Sequence, residues 1–383
     1  MKKVFLALLK RAISNENAPI DISSKLTTEN FKSLILLAKK HDLAHLVTHS
    51  LDKLGSLPND VELKSKLLKE RNVAIFRGEQ QSYELDRIST IFSENKILFI
   101  PLKGSVIKKY YKASWMRTSC DIDILVKKTD LDVAISILKS KLGYVYLSKG
   151  DHDVSLTSPS GVHLELHYSL VDETAKDSEK FIFGNVWQNG IINNDGNLAL
   201  SDEYFYCYHV SHVAKHLKYG GCGVRAIIDT YILNNVVTFN KEKRLELLQS
   251  AELLEVANAV ENLANVWFSN ANHNDITLAL ASYVLSGGSY GTFESKVAAQ
   301  QTRKSSKFSY LMSRVFLPYK QMKLKYPVLE KYAILYPIYI IVRLFSLLNK
   351  NKRELALREL NQTTKSSYDK QDEVTKLLND LKL

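Results

Sequence analysis

The feature that most limits what this chain can fold into is a change of hydrophobic period along it. Apolar residues recur at helical spacing up to about residue 95, alternate one in two from there to about residue 170, and return to helical spacing beyond Ser201. Over 28–51, Phe31, Leu34, Ile35, Ala38, Leu43, Leu46 and Val47 fall on one helical face behind a Thr27 or Thr28 cap, which predicts a helix or a broken pair of helices. After a turn-rich break at 55–60, Leu67, Val73, Phe76, Leu85, Ile88 and Ile91 carry the helical pattern through 61–92. The period then becomes two. Stretches 97–100 and 122–126 are short runs of strand length, rich in branched residues. The segment 129–141 reads as a helix capped by Thr129 and closed by Gly143. Segments 144–147, 152–157 and 162–170 read as strands, the last two joined by a Pro159-Ser160-Gly161 turn. The expectation is an α+β protein in which a small mixed β-sheet domain, 96–200, is flanked by a helical N-terminal segment, 1–95, and a helical C-terminal domain, 201–348. A charged helical tail, 349–383, is expected to be exposed.

Charge narrows the partners. With 52 Lys and Arg against 41 Asp and Glu, 52 − 41 = +11, so the surface should attract polyanions: nucleotides, anionic lipid or, less favoured, nucleic acid. Cys120, Cys207 and Cys222 lie far apart without CxxC spacing, which argues for a reducing, cytoplasmic compartment and against a disulfide scaffold or a structural zinc. The first eleven residues hold too short an apolar run for a signal peptide and read as an amphipathic helix. The apolar stretch 332–348 is broken by Pro337 and Arg343 and falls short of the ~20 residues a span requires. A buried helix is the favoured reading there. Its rival is a peripheral element on an anionic membrane surface through 314–348, because Arg314, Lys320, Lys323, Lys325 and Lys331 are interleaved with aromatic residues ahead of it.

Chemistry concentrates in the period-two region. On a strand, Asp121 and Asp123 project to one face while Ile122, Ile124 and Val126 project to the other. Two carboxylates crowded at the start of a buried strand repel each other, and a divalent cation with oxygen ligands, magnesium or manganese, is the usual resolution. Glu165 alternates with apolar neighbours in the same way and offers a third carboxylate from another strand, a set suited to phosphoryl transfer. Upstream, Lys103-Gly104-Ser105 follows a strand and precedes a helix, where backbone amides and a small residue can cradle phosphates and Lys103 adds a cation. Arg117 is placed to bring a planar fork to the same phosphates; taken alone it reads as a surface ion pair. His167 flanks Glu165 on its strand face, as support or as a proton carrier, and His209, His212 and His216 fall on one helical face expected to line a cleft. Arg225 and Asp229, one turn apart, are most simply an intrahelical ion pair.

Taken together these stretches resemble the nucleotidyltransferase superfamily typified by DNA polymerase β and the aminoglycoside nucleotidyltransferases. The resemblance is greatest to a bacterial uncharacterised nucleotidyltransferase family, through Leu102-Lys103-Gly104, Arg117 with Asp121 to Val126, and Glu165-Leu166-His167. It continues into Arg225-Ala226-Ile227-Ile228-Asp229. The resemblance implies a nucleoside triphosphate gripped at Lys103, Gly104, Ser105 and Arg117, and magnesium or manganese held by Asp121, Asp123 and Glu165. It also implies transfer of a nucleoside monophosphate to an unidentified acceptor (a small molecule, a protein or RNA) with release of pyrophosphate. His167, His212, Arg225 and Asp229 would be accessory. The stretch 106–119 is longer than the matching gap in the aminoglycoside enzymes. The alternative is a non-catalytic nucleotide- or partner-binding module, peripheral to the membrane in a surface-polysaccharide or secondary-metabolite pathway. Three intact carboxylates argue against it.

Overall fold

A computed structural model describes residues 1–14, 27–192, 198–288, 316–317, 319, 322–323, 326, 328–346 and 368–383. The architecture is α+β, with a small five-stranded mixed sheet between helical N- and C-terminal regions. Four helices come first: α1 (Lys2–Ile13), α2 (Thr28–Lys40), α3 (Ala44–Lys53) and α4 (Val61–Glu94). Thr27 caps α2 by accepting from the Asn30 amide, and Asp60 caps α4 by accepting from the Leu63 amide. The stretch 28–51 is therefore the broken pair, interrupted where Asp42 takes a left-handed conformation, φ 54°.

The sheet order is β1 (Phe99–Pro101), β2 (Asp121–Val126), β5 (His163–His167), β4 (Asp153–Thr157) and β3 (Val145–Lys149). Only the β2–β5 pairing is parallel, and it is spanned by helix α6 (Leu131–Leu142) and the β3–β4 hairpin. Gly143 ends α6 with φ 71°, the left-handed closure its sequence predicts. Thr129 does not cap α6: the N-cap is Asp130, and the Thr129 hydroxyl bonds the Asp130 carboxylate instead.

Strand alternation splits the sheet between two cores. Ile122, Ile124 and Val126 of β2, Leu164 and Leu166 of β5 and Val154 and Leu156 of β4 pack with Leu131, Ala134 and Leu138 of α6 and with Ile88 and Phe92 of α4. The opposite face turns toward a larger helical core, which Ile100 and Leu125 enter. That core is built from α7 (Asp177–Gly184), α8 (Asp202–Lys218), α9 (Val224–Val236), α10 (Lys241–Ser250), α11 (Leu254–Phe268) and α12 (Asp275–Gly287). Phe5, Leu8 and Leu9 of α1 share it with Val260 and Leu263 of α11, so the two ends of the helical pattern close one interior.

Two C-terminal expectations are corrected. In the helix Tyr368–Asp380 and the residues after it, Val374, Leu377, Leu378 and Leu381 recur at i, i+3, i+4 and i+7 and are buried in the same core, so this part of the tail is packed rather than exposed. Conversely, the helix Tyr336–Ser346 is not buried. Ile338, Ile341, Val342 and Leu344 are exposed, and no described residue of this helix enters either apolar core. Arg314, Lys320 and Lys325 and the stretch 347–367 lie outside the described residues. Among the described residues no helix is long and apolar enough to cross a membrane.

Candidate active site

Register brings the acids together. In the parallel β2–β5 pair, Asp123 lies opposite Glu165 and Asp121 opposite His163, so Asp121, Asp123, His163, Glu165 and His167 share the face turned toward the helices. Asp121, Asp123 and Glu165 line one cleft of about 280 Å³, with Lys103, Gly104 and Arg117 on the same wall. The facing wall comes from α8 and α9: Tyr208, His209, His212 and His216 with Arg225 and Asp229. The histidine face of α8 therefore lines the cleft as its spacing predicts, with His212 and His216 joined nitrogen to nitrogen at 2.9 Å.

The turn after β1 reaches the acids directly. Lys103 opens the short helix α5 (Lys103–Ile107) with a left-handed backbone, φ 45°, a conformation retained by a non-glycine residue only where its surroundings impose it. Its Nζ donates to Asp123 Oδ1 at 2.6 Å and stands 3.7 Å from Glu165 Oε2. His167 Nε2 lies 2.9 Å from Asp123 Oδ1 and 3.5 Å from Glu165 Oε2. Burial alone would raise the Asp123 carboxyl, but Lys103 and His167 outweigh it and hold the group well below the usual range. The His167 hydrogen bond likewise lowers Glu165. Burial works against positive charge on His167, yet its bonds to Asp123 and Glu165 win and raise it.

Asp121 behaves differently. Burial first, then the charges of Asp123 and Glu165, push it up to about 6. A carboxylate that its own neighbours disfavour, on a wall with two others, is a donor set matched to a hard divalent cation, which would relieve that repulsion. The tight group among these residues is Asp123, Glu165 and His167, whose ligand atoms lie within 4.8 Å of one another; Asp121 stands outside it.

Two predicted side chains have other partners. Arg117 lines the cleft with its guanidinium partly engaged: its Nε donates to both Asp229 oxygens, at 2.9 and 3.0 Å, and its Nη1 to the Thr118 carbonyl at 2.5 Å. Asp229 therefore does not pair within its helix. Arg225 instead bonds Asp42 Oδ2 at 2.7 Å and the Thr118 carbonyl at 2.8 Å. Asp229 is buried and also accepts from the Tyr111 hydroxyl at 2.6 Å, and a desolvated carboxylate takes the closest guanidinium, wherever it lies in sequence.

The Lys103-Gly104-Ser105 turn is partly open. Gly104 lines the cleft, and a Cβ there would meet Ser119 Cβ at 3.2 Å and Arg117 Nη1 at 3.5 Å, so glycine lets the 117–119 segment approach. Ser105 is not among the cleft-lining residues, and its amide donates to the Leu102 carbonyl at 3.1 Å. Reasoning from sequence missed three supports. Gln81 of α4 donates to the Ser119 carbonyl at 3.1 Å and accepts from the Ser119 hydroxyl at 3.1 Å, which fixes the entry to β2. Asp42 anchors Arg225, and Tyr208 covers the Lys103 side of the cleft. Neither Gln81 nor Asp42 carries a local signal, since each acts on a segment tens of residues away.

No curated protein matches this chain. Among solved structures, the solution structure of the antibiotic-resistance factor ANT(2'')-Ia is similar at 11% identity, over 50% of this chain and 95% of that one, with a TM-score of 0.27, too low to bear on the site. Residues 27–269, more than half of the sequence, match the family described as uncharacterised nucleotidyltransferase. That span takes in the carboxylates of β2 and β5, the Lys103 turn and the Arg225-to-Asp229 helix, and the chain belongs to that nucleotidyltransferase family.

Proposed function

We propose that this protein transfers a nucleoside monophosphate from a nucleoside triphosphate to an acceptor hydroxyl, of a small molecule, a protein or an RNA end, with release of pyrophosphate. The observation that carries the reading is the β2–β5 register, with Asp123 opposite Glu165 and Asp121 on the same face of one cleft. Magnesium or manganese held by Asp121, Asp123 and Glu165 would neutralise triphosphate charge and make the acceptor hydroxyl a better nucleophile. The remaining work falls to the chain's own groups. Lys103 now occupies the space between Asp123 and Glu165, and it would swing to the phosphates when they enter, freeing both carboxylates. Gly104 lines the cleft where phosphate would lie, and Ser105, outside that lining, is assigned to the same grip by its place in the turn. Arg117, paired with Asp229, is assigned to brace the turn from behind and to supply positive potential at close range. The acceptor oxygen forms its bond to the α-phosphorus as the bond from that phosphorus to the bridging β-oxygen breaks. Pyrophosphate departs, and the acceptor's proton passes to the cleft carboxylates. His167 orients Asp123, while His212, Arg225 and Asp229 form the acceptor side.

The test is pyrophosphate release from each labelled triphosphate in the presence of magnesium and cell extract. Wild type should release it and transfer label to one acceptor; Asp123→Asn should lose at least about a thousandfold while its circular dichroism stays that of wild type. Equal turnover in Asp123→Asn would refute the reading, and nucleotide binding by wild type without any release would favour a non-catalytic module.

A second reading concerns a partner. The exposed Ile338, Ile341 and Val342, with Lys323 and Lys331 near them in sequence, support contact with an anionic membrane surface. Flotation with phosphatidylserine vesicles should recover the wild type and not the Ile338→Glu, Ile341→Glu double variant. Equal recovery of both, or of neither, would reject it. Deleting the C-terminus is unsuited to this test, since the last helix is part of the core.

A further inference from the structure

Beside the carboxylate cleft, β4 extends the same sheet face. Asp153 is the cross-strand partner of His167, and His152, just before it, brings its ring centroid to 5.6 Å from that of His167. Each imidazole has one nitrogen against a carboxylate: His152 Nδ1 lies 2.6 Å from Asp151 Oδ1, and His167 Nε2 lies 2.9 Å from Asp123 Oδ1. A carboxylate that accepts a hydrogen bond from one ring N–H leaves the other nitrogen of the neutral ring with its lone pair, the arrangement in which histidines are held for a metal. The two remaining nitrogens are the positions a metal would take, displacing a ring proton where one is bound. His152 Nε2 stands 3.4 Å from Asp153 Oδ2, and His167 Nδ1 is buried with no hydrogen-bond partner. One ligand atom from each of His152, Asp153 and His167 lies within 4.8 Å of the others. Ligands held ~2.0–2.1 Å from a tetrahedral ion stand about 3.4 Å apart, the separation already present between His152 and Asp153. Four carboxylates, Asp123, Asp151, Asp153 and Glu165, gather around these two rings, and the Lys103 ammonium reaches two of them.

We propose that His152, Asp153 and His167 bind a borderline transition-metal dication of the Zn²⁺ class, at a site separate from the hard-cation site of Asp121, Asp123 and Glu165. Two imidazoles and a single carboxylate select zinc, cobalt or iron over magnesium, which prefers oxygen ligands and keeps its waters. Three protein ligands leave a fourth position. His152 and His167 line a chamber of about 60 Å³ together with Lys103 and His212, enough for a water molecule there. Because His167 also bonds Asp123, an ion on Nδ1 would fix the ring that orients the first carboxylate of the cleft.

The site is tested on the full chain, stripped with chelator and titrated with Co²⁺ in excess Mg²⁺. Visible absorbance reports the coordination, and metal content is measured after reconstitution with Zn²⁺ and gel filtration. Wild type should retain about one equivalent and show the intense visible bands of four- or five-coordinate cobalt. His152→Ala and Asp153→Asn should lose it, Asp151→Asn should weaken it by about 10- to 100-fold, and Asp121→Asn should keep it. Asp153→Asn and Asp151→Asn, nearly isosteric, keep the test decisive if His152→Ala does not fold. The site is overturned if wild type retains no ion against magnesium, or if His152→Ala and Asp153→Asn retain it as wild type does. It is equally overturned if Asp121→Asn loses the ion, which would assign it to the cleft carboxylates. Retention in a protein that shows no nucleotide turnover would leave this site standing and remove the transferase reading.

Discussion

On β2, Ile122, Ile124 and Val126 enter the interior beneath α6, while Asp121 and Asp123, interleaved with them, face the cleft under α8 and α9. Both sets are carried by one six-residue strand, and the next two strands of the sheet, β5 and β4, continue the division, with Leu164 and Leu166 against Glu165 and His167, and Val154 and Leu156 against Asp153. The apolar face is satisfied by contact alone. The polar face is satisfied only by charges brought from elsewhere, Lys103 from the turn after β1 and His167 from β5, and at Asp121 that compensation falls short. Stability and function are thus separated by one residue of register, and a site is recognisable as the place where a fold tolerates uncompensated charge.

Substituting neighbours of opposite facing should separate turnover from stability. Asp121→Asn should lower nucleotide turnover by about a thousandfold, yet raise thermal stability at pH 7 in metal-free buffer, because it removes a carboxylate that the fold disfavours. Ile122→Ala should do the reverse, costing about 2–5 kcal/mol in urea unfolding while activity per folded molecule is kept. If both substitutions destabilise and both inactivate, the two faces are not functionally distinct. On the facing wall, Asp229→Ala leaves Arg117 buried and unpaired and should cost about 3–5 kcal/mol, with turnover lost through the loosened turn. An unchanged urea midpoint would place that ion pair among the dispensable ones.

The buried rings and Asp121 respond to pH with opposite signs. Burial pushes His41, His45 and His209 down to about 4, so these rings are neutral in the fold and take up protons on unfolding. Their contribution is fully present above the unfolded value of 6.5 and is lost as pH falls from there through 4, at up to about 1.4 kcal/mol per pH unit for each ring. Asp121 has the opposite sign. Raised from 3.8 to about 6, it binds its proton in the folded state first and offsets one histidine across that window. Urea midpoints at pH 7, 5.5 and 4.5 should therefore fall, and fall further in Asp121→Asn; a flat profile would contradict the buried neutral rings. The smallest effect is expected at His212→Ala. Burial, followed by the neighbouring His216, keeps this ring neutral, and its loss should reduce turnover by less than about tenfold, as for a positioning group rather than a proton carrier.

Much of the sheet was legible because its code is local. Alternation around Asp121 and Asp123 and around Glu165 requires one face for acids and one for aliphatics whatever lies nearby, and Gly143 announces the end of α6 by the left-handed turn it supplies. Helix existence was equally local, although Thr129 shows that a cap is decided by where the preceding turn places its hydroxyl. What the sequence could not supply was partner choice. Arg117 and Arg225 were each assigned by proximity along the chain, to phosphate and to Asp229, yet Arg117 pairs with Asp229 at a separation of 112 residues and Arg225 with Asp42 at 183.

Backbone geometry and spacing were enough to set the strands of the sheet and, within each strand, which side chains share a face: Asp121 with Asp123 on one, Glu165 with His167 on another. Packing of the whole chain then ran β2 and β5 parallel in the register that opposes Asp123 to Glu165, and brought Lys103 onto both. It also decided that His152 meets His167, and that the last helix is core while Tyr336–Ser346 is surface. Strand registration, desolvated ion pairs and helix docking are selected by the whole packed interior, and no window of sequence contains the competing partners among which that interior chooses.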